Sequence, residues 1–243
     1  MNLANVIEGH SDDRRALIDG ETVVTFGELR DRVSALRSQL ASMGISRGDS
    51  VALAAGNEVH FATGALAVLG LGAIVMPVTP QSPPAELRLR IDMVQPRLLL
   101  VGDDGQGLLG IDDELGVEAL DMTTLAAVPV TDPDPGIVDV EPDDRAFYMA
   151  TSGVSGAPKV AILSHYNLRW VQEAMGQGLD PMQPDDITLG CLSFAHIFGL
   201  NVVLLYGLRV GSCIVLQRRF DADESLPLIR EHGVTVLAGA PPM

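Results

Sequence analysis

Ala146-Phe147-Tyr148-Met149-Ala150-Thr151-Ser152-Gly153-Val154-Ser155-Gly156-Ala157-Pro158-Lys159-Val160-Ala161-Ile162-Leu163 sets two apolar runs around a loop of hydroxyls, glycines, a proline and a lysine. The apolar runs read as short strands, so the local order is strand–loop–strand. Glycine admits positive φ and close approach of backbone to a ligand. Successive N–H groups in such a turn can converge into an anion-binding concavity. The Ser and Thr hydroxyls add donors, and Lys159 adds a compact positive charge. Thr151, Ser152, Gly153, Val154, Ser155, Gly156 and Lys159 are therefore the candidate phosphate-binding residues. They do not form the nucleotide P-loop, Gly-x-x-x-x-Gly-Lys-Ser/Thr. Pro158 precedes the lysine, Val160 stands where that loop carries its magnesium-binding hydroxyl, and a strand follows instead of a helix. An ordinary Gly/Ser hairpin with a solvated lysine has the same composition, and the residues alone leave both readings open.

On the N-terminal side, Thr25-Phe26-Gly27-Glu28 has capping-box spacing. Phe26, Leu29, Val33, Leu36, Leu40 and Met43 recur at helical intervals up to Gly44. The charged residues between them are expected on a solvated face. Val51–Ala55 reads as a buried strand, Asn57 as the cap of a helix to about Leu69, and 73–78 as another strand. Ser82-Pro83 starts a further helix, and Leu98–Val101 is a strand. On the C-terminal side, Ser164 or Asn167 caps a helix to about Met175. Ile187–Ser193, Ser212–Gln217 and Val234–Ala238 read as strands. Between them lie an apolar helix over Ile197–Leu208 and a second one starting at Asp221 or Asp223 and ending near Gly233. This alternation predicts an α/β fold with largely parallel sheets flanked by helices. Composition divides the chain into a first α/β lobe at 1–128, an acidic Pro-rich linker at 129–144, and the phosphate-loop segment with a second lobe at 145–243. The linker acids are read as solvated and not as a metal site; no metal ligand is assigned anywhere.

A chain of 243 residues that is 47% hydrophobic has ample material for a core. Its net charge of −16 excludes a nucleic-acid partner, because a phosphate backbone requires a basic face. Any anionic substrate must be held by local donors rather than by the overall field. Cys191 and Cys213 lie in apolar runs and read as buried, reduced thiols of a cytoplasmic protein. No signal peptide is read at the N-terminus. Phe61–Val78 is uncharged and near spanning length, but Gly64, Gly70, Gly72 and Pro77 cut it into a helix and a strand. No transmembrane span is assigned, and peripheral membrane contact stays open.

A second constellation is Phe194-Ala195-His196-Ile197-Phe198-Gly199, at the C-terminal end of a predicted strand, where open α/β sheets place their ligands. For a lone histidine, capping or core packing is the simpler reading.

Thr151–Lys159 with Leu163-Ser164-His165-Tyr166-Asn167-Leu168 resembles the signature of the adenylate-forming (AMP-binding) superfamily, Thr-Ser-Gly-Thr-Thr-Gly-x-Pro-Lys-Gly-Val. Val154 replaces a hydroxyl residue and Val160 a glycine. Ala67–Pro80 resembles an early packing element of the same family, and Phe194–Gly199 its Phe-His-x-x-Gly element, most like an acyl-CoA synthetase. The resemblance implies the N-terminal part of the large domain of the adenylate-forming fold. It implies a ligase that joins a carboxylic acid to AMP using ATP and Mg2+, then passes the acyl group to coenzyme A. A fatty acid is the first expectation. His196, Phe194, Phe198 and Gly199 would bind the acyl group. Ala195-His196 stands where amino-acid-activating relatives carry Phe-Asp, so no carboxylate awaits a substrate ammonium. The family's later elements, including the catalytic C-terminal lysine, have no match here. The C-terminal half is the expected missing partner, and the chain alone is expected to be inactive. An acyl-AMP ligase loading a carrier protein, and a non-catalytic nucleotide- or acyl-binding α/β domain, are the alternatives.

Overall fold

The computed structural model describes residues 1–128, 134–151, 159–241 and 243. Its strands are β1 (Arg15–Asp19), β2 (Thr22–Thr25), β3 (Ser50–Ala54), β4 (Ile74–Val78), β5 (Leu98–Val101), β6 (Ala119–Asp121), β7 (Arg145–Thr151), β8 (Lys159–Ser164), β9 (Ile187–Gly190), β10 (Cys213–Leu216) and β11 (Val236–Leu237). The helices are α1 (Phe26–Ser42), α2 (Val59–Gly70), α3 (Pro84–Val94), α4 (Asp112–Leu115), α5 (Met122–Ala127), α6 (His165–Gly176), α7 (Tyr206–Val210) and α8 (Ala222–His232).

Two sheets form, one in the order β6-β5-β3-β4-β7-β8 and one in the order β11-β9-β10-β1-β2. Among the described residues only β7/β8 and β1/β2 pair antiparallel; the remaining ladders are parallel. The largely parallel α/β fold is as expected. The division by sequence at 128 and 145 cuts across both sheets. β1 and β2 belong with β9–β11, whereas β7 and β8 extend the sheet of β3–β6.

Side chains of a strand alternate between faces, and the sheets use both. Val51 and Leu53 of β3 face a core shared with Leu17, Val24, α1 and α2. Ala52 and Ala54 face a second core covered by Leu87 and Ile91 of α3. Ile18, Leu189 and Val215 form a third, with Leu228 and Ile229 of α8 packed on it. Except at His60, α2 is buried around its whole circumference, as an all-apolar helix in a large core must be. The apolar run at 61–78 is thus a buried helix and strand, turned at Gly72. That residue has φ of +69°, and an added Cβ would crowd Val138 and Arg47. No helix among the described residues is long and apolar enough to cross a membrane.

Three local expectations need correction. The charged side of α1 is not simply solvated. Arg37 is 6% exposed and its Nε donates to Asp134 Oδ1 at 2.6 Å; Arg30 donates to Ile7 O at 2.6 Å. Asp134 and Val138 of the acidic linker are docked, whereas Asp139, Glu141 and Asp143 are exposed as expected. Asp134 also accepts from Ser34 Oγ at 2.7 Å, Val138 N–H donates to Gly70 O at 2.9 Å, and Asn2 Nδ2 donates to Val138 O at 3.1 Å. Burial alone would raise the Asp134 carboxyl, but the hydrogen bonds from Arg37, Ser34 and Gly136 and the Arg37 charge hold it below its ordinary value. Finally, Pro83 rather than Ser82 occupies the N-cap of α3, with Pro84 at the first helical position.

Candidate functional site

The hairpin carrying the phosphate-loop candidates is fixed by its ladder. β7 and β8 pair from Arg145 opposite Ser164 to Thr151 opposite Lys159, so the two ends of the loop meet across the strands. Thr151 Oγ1 donates to Lys159 O at 3.3 Å, and both residues are exposed at the loop mouth. Ser152, Gly153, Val154, Ser155 and Gly156 lie outside the described residues. β8 is the outer strand of its sheet and exposes Ile162.

The other end of the hairpin is anchored in the core. Ser164 caps α6: its hydroxyl accepts from Asn167 N at 3.2 Å, and Asn167 Oδ1 accepts from Ser164 N at 3.0 Å. His165 follows, fully buried, and its Nδ1 accepts from Leu3 N–H at 3.2 Å. Its Nε2 is buried without a hydrogen-bond partner. Burial lowers the imidazole pKa to about 4, assisted by the N-terminal charge and opposed by the Asp144 carboxylate. His165 is neutral at physiological pH and acts as a structural post.

The second constellation begins after β9. Phe194 is 1% exposed, with its ring 5.5 Å from that of Phe61 in α2. It is a core residue that supports the segment from within. Its N–H donates to Asn57 Oδ1 at 2.9 Å. The Asn57 amide nitrogen in turn donates to Gly190 O and Leu192 O, both at 2.9 Å, and to Gln217 O at 3.2 Å. Asn57 therefore does not cap α2, which begins at Val59 with Glu58 at its N-cap. Instead it ties the end of β3 to the chain leaving β9 and β10, joining the two sheets.

His196, Ile197 and Phe198 then emerge into solvent, the last two 45% and 44% exposed. His196 O accepts from Leu200 N at 2.9 Å. The helix expected at 197–208 does start at Ile197; it runs as a π-helical segment over Gly199–Leu205 and continues as α7. Such segments recur at functional sites. Gly199 is required by close approach: a Cβ there would run into the carbonyl oxygens of Ser193 and Leu192. Val202 and Val203 of the π-helical segment line a cavity of about 480 Å3, walled also by Thr188, Tyr206, Val236 and Leu237. Among the described residues, no hydrogen bond or ion pair joins 194–199 to Thr151 or Lys159.

A strand-paired loop mouth bearing Thr151 and Lys159, and an exposed histidine–aromatic turn at the carboxyl end of a strand, now stand beside the outcome of comparison with known proteins. The model of the AMP-binding enzyme family matches residues 3–243. The chain belongs to that family. Among curated relatives, 4-coumarate–CoA ligase 5 of Oryza sativa subsp. japonica is 30% identical over 95% of this chain and 45% of its own length. 4-coumarate–CoA ligase 3 of Arabidopsis thaliana is 28% identical over 95% of this chain and 44% of its own length. The ATP-bound crystal structure of MatB from Rhodopseudomonas palustris superposes with a TM-score of 0.86 at 25% identity, covering all of this chain and 50% of that one. The N-terminal domain of FACL13 from Mycobacterium tuberculosis, at 21% identity and a TM-score of 0.89, shares the fold. This AMP-binding chain thus spans about 45% of the length of the curated relatives it matches, as an N-terminal part.

Two further features of this AMP-binding chain emerge from the structure. The β1–β2 hairpin has a local signal, Asp19-Gly20 between Ala16-Leu17-Ile18 and Val23-Val24. The anchoring role of Asn57 has no local signal, since its partners lie 133 to 160 residues away.

Proposed function

We propose that this chain is the N-terminal part of a ligase that activates a carboxylic acid with ATP and transfers the acyl group to coenzyme A. The observation that carries this reading is the register of β7 and β8, which sets Thr151 against Lys159 at the exposed mouth of the family's phosphate-binding motif. In the first step a substrate carboxylate oxygen attacks the α-phosphorus of ATP in line with the departing pyrophosphate. In the second the thiol attacks the acyl carbon and AMP leaves. Little covalent chemistry falls to the protein, so alignment and neutralisation of phosphate charge supply the catalysis.

Thr151 and Lys159, with Ser152, Gly153, Ser155 and Gly156 between them, hold the β- and γ-phosphates in this reading. A local cradle is required because the chain carries a net charge of −16. Magnesium, when bound, would neutralise further phosphate charge, and no side chain of this chain is assigned to hold it. His196 and Phe198, exposed on their turn, face the acyl group, and Gly199 shapes that turn. The absence of a carboxylate at 195–196 favours a non-amino acid. The relatives' names add an aromatic acid to the candidates beside a fatty acid.

Calorimetric titration of the 243-residue chain with ATP and Mg2+ tests the cradle. Lys159→Ala is expected to weaken nucleotide binding about tenfold, the loss of one charge-assisted contact. Unchanged affinity would reduce the loop to a plain hairpin. The chain alone is expected to give no acid-dependent ATP–pyrophosphate exchange, whereas its full-length form is expected to show exchange. Acyl transfer to a carrier protein rather than coenzyme A would assign it to the acyl-AMP ligases.

A further inference from the structure

The carboxyl ends of strands from both sheets converge on a charged cluster remote in sequence from the phosphate loop. Asp19 closes β1, Glu58 follows β3, Asp103 and Asp104 follow β5, and Arg218 follows β10. Arg218 pairs with all four acids. Its Nη1 meets Glu58 Oε2 and lies 3.3 Å from Asp104 Oδ1; its Nη2 lies 3.4 Å from Asp19 Oδ2 and 3.5 Å from Asp103 Oδ2. Four carboxylates against one guanidinium leave the cluster strongly negative. Such an excess at the surface is ordinary, but here it is not confined to the surface. Glu58 is 0% exposed and its Oε1 is buried with no hydrogen-bond partner. A buried carboxylate oxygen without a donor is costly, and Glu58 does not relieve it by capping α2.

His60 supplies the missing chemistry. Its Nδ1 lies 3.4 Å from Asp103 Oδ1. One ligand atom from each of Glu58, His60 and Asp103 falls within 4.8 Å of the other two. The His60–Asp103 separation of 3.4 Å matches one ligand–ligand edge of a tetrahedron whose metal–ligand bonds are about 2.1 Å, and the edges to Glu58 lie within 4.8 Å. His60 is partly buried and Asp103 about half exposed, leaving a solvent side for water to complete the shell.

We propose that Glu58, His60 and Asp103 bind a divalent transition-metal ion of the zinc class, which ties the start of α2 to the end of β5 beside the Arg218 junction between the sheets. One imidazole nitrogen with two carboxylates suits zinc, cobalt or nickel better than magnesium or calcium, whose preferred partners are all oxygen. The ion offsets the excess negative charge that one arginine leaves, and its role is structural: it adds stability in proportion to its occupancy.

The test uses the 243-residue chain, freed of metal with EDTA and titrated with Co2+ and Zn2+. Binding of one ion per chain is expected, with a Co2+ visible spectrum of low-coordinate N/O ligation that Zn2+ displaces. His60→Ala and Asp103→Asn should each weaken binding at least tenfold, with far-UV circular dichroism unchanged; His232→Ala should leave it intact. In the unsubstituted chain, long-range 1H–15N spectra should show Zn2+ shifting the Nδ1 of His60 and of no other histidine, a readout that does not depend on any variant folding. Absence of stoichiometric binding, retention of affinity in both variants, or Zn2+ shifts at another histidine would overturn the site.

Discussion

At 146–163 the pairing that shapes the motif is local: β7 docks on β4 of the sheet, but Thr151 is set opposite Lys159 by the hairpin itself, and a capping box at Ser164 lies immediately beyond. At 190–199 the anchor is Asn57, whose carbonyl oxygen accepts from a residue 137 positions later and whose amide nitrogen is shared among three carbonyls of the other sheet's connections. The hairpin leaves Thr151 and Lys159 exposed at a sheet edge. The second segment buries Phe194 and exposes only the turn His196–Phe198. A motif made of local pairings can be read from spacing, whereas one made of a distant amide cannot. The stabilities of the two segments should differ accordingly.

Asn57→Ala should have the largest effect. It strands a buried N–H and several carbonyls at the sheet junction, and about 3–4 kcal/mol of unfolding free energy should be lost in urea denaturation. A loss below about 1 kcal/mol would mean that the junction does not depend on this amide.

Acid should act next, through the buried end of the hairpin. Burial lowers the His165 pKa to about 4, below its value of about 6.5 in the unfolded chain. Folding therefore favours the neutral imidazole. The stabilisation is fully present above about pH 6.5 and is lost as pH falls towards 4, about 3 kcal/mol in all. A urea-midpoint profile should slope downward across that window and lose this component in His165→Gln. An unchanged slope would place the acid sensitivity elsewhere.

Gly199→Ala is smaller. The new methyl meets the Ser193 and Leu192 carbonyls, and about 2 kcal/mol should be lost, with the His196–Phe198 turn displaced. Smallest of all, Lys159→Ala, at an exposed strand end, should change stability by less than about 0.5 kcal/mol. That near-neutrality makes it a clean probe of nucleotide affinity; a large stability change would show that the lysine is structural.

The elements that were legible ahead of the structure are those whose signals are short. The capping boxes at Thr25 and Ser164 start α1 and α6, Asp221 caps α8, and Gly233 ends it with φ of +65°. Gly72 turns the apolar run at 61–78 from a helix into a strand. The 194–199 segment was legible as a motif, but its split into a buried Phe194 and an exposed His196 was not, because burial depends on where Phe61 of α2 arrives.

The sequence by itself determined the α/β alternation and the strand–loop–strand character of 146–163, which follow from periodicity, caps and turn chemistry acting over a few residues; its place in the AMP-binding family rests on resemblance to known sequences. Only the tertiary structure decided that β1 and β2 join β9–β11, that Asp134 docks on Arg37, and that Asn57 ties the sheets. Only there does Arg218 gather Asp19, Glu58, Asp103 and Asp104. Each of these depends on strand order and on residues about 97 to 199 positions apart, and no local propensity encodes which buried polar group will find which partner.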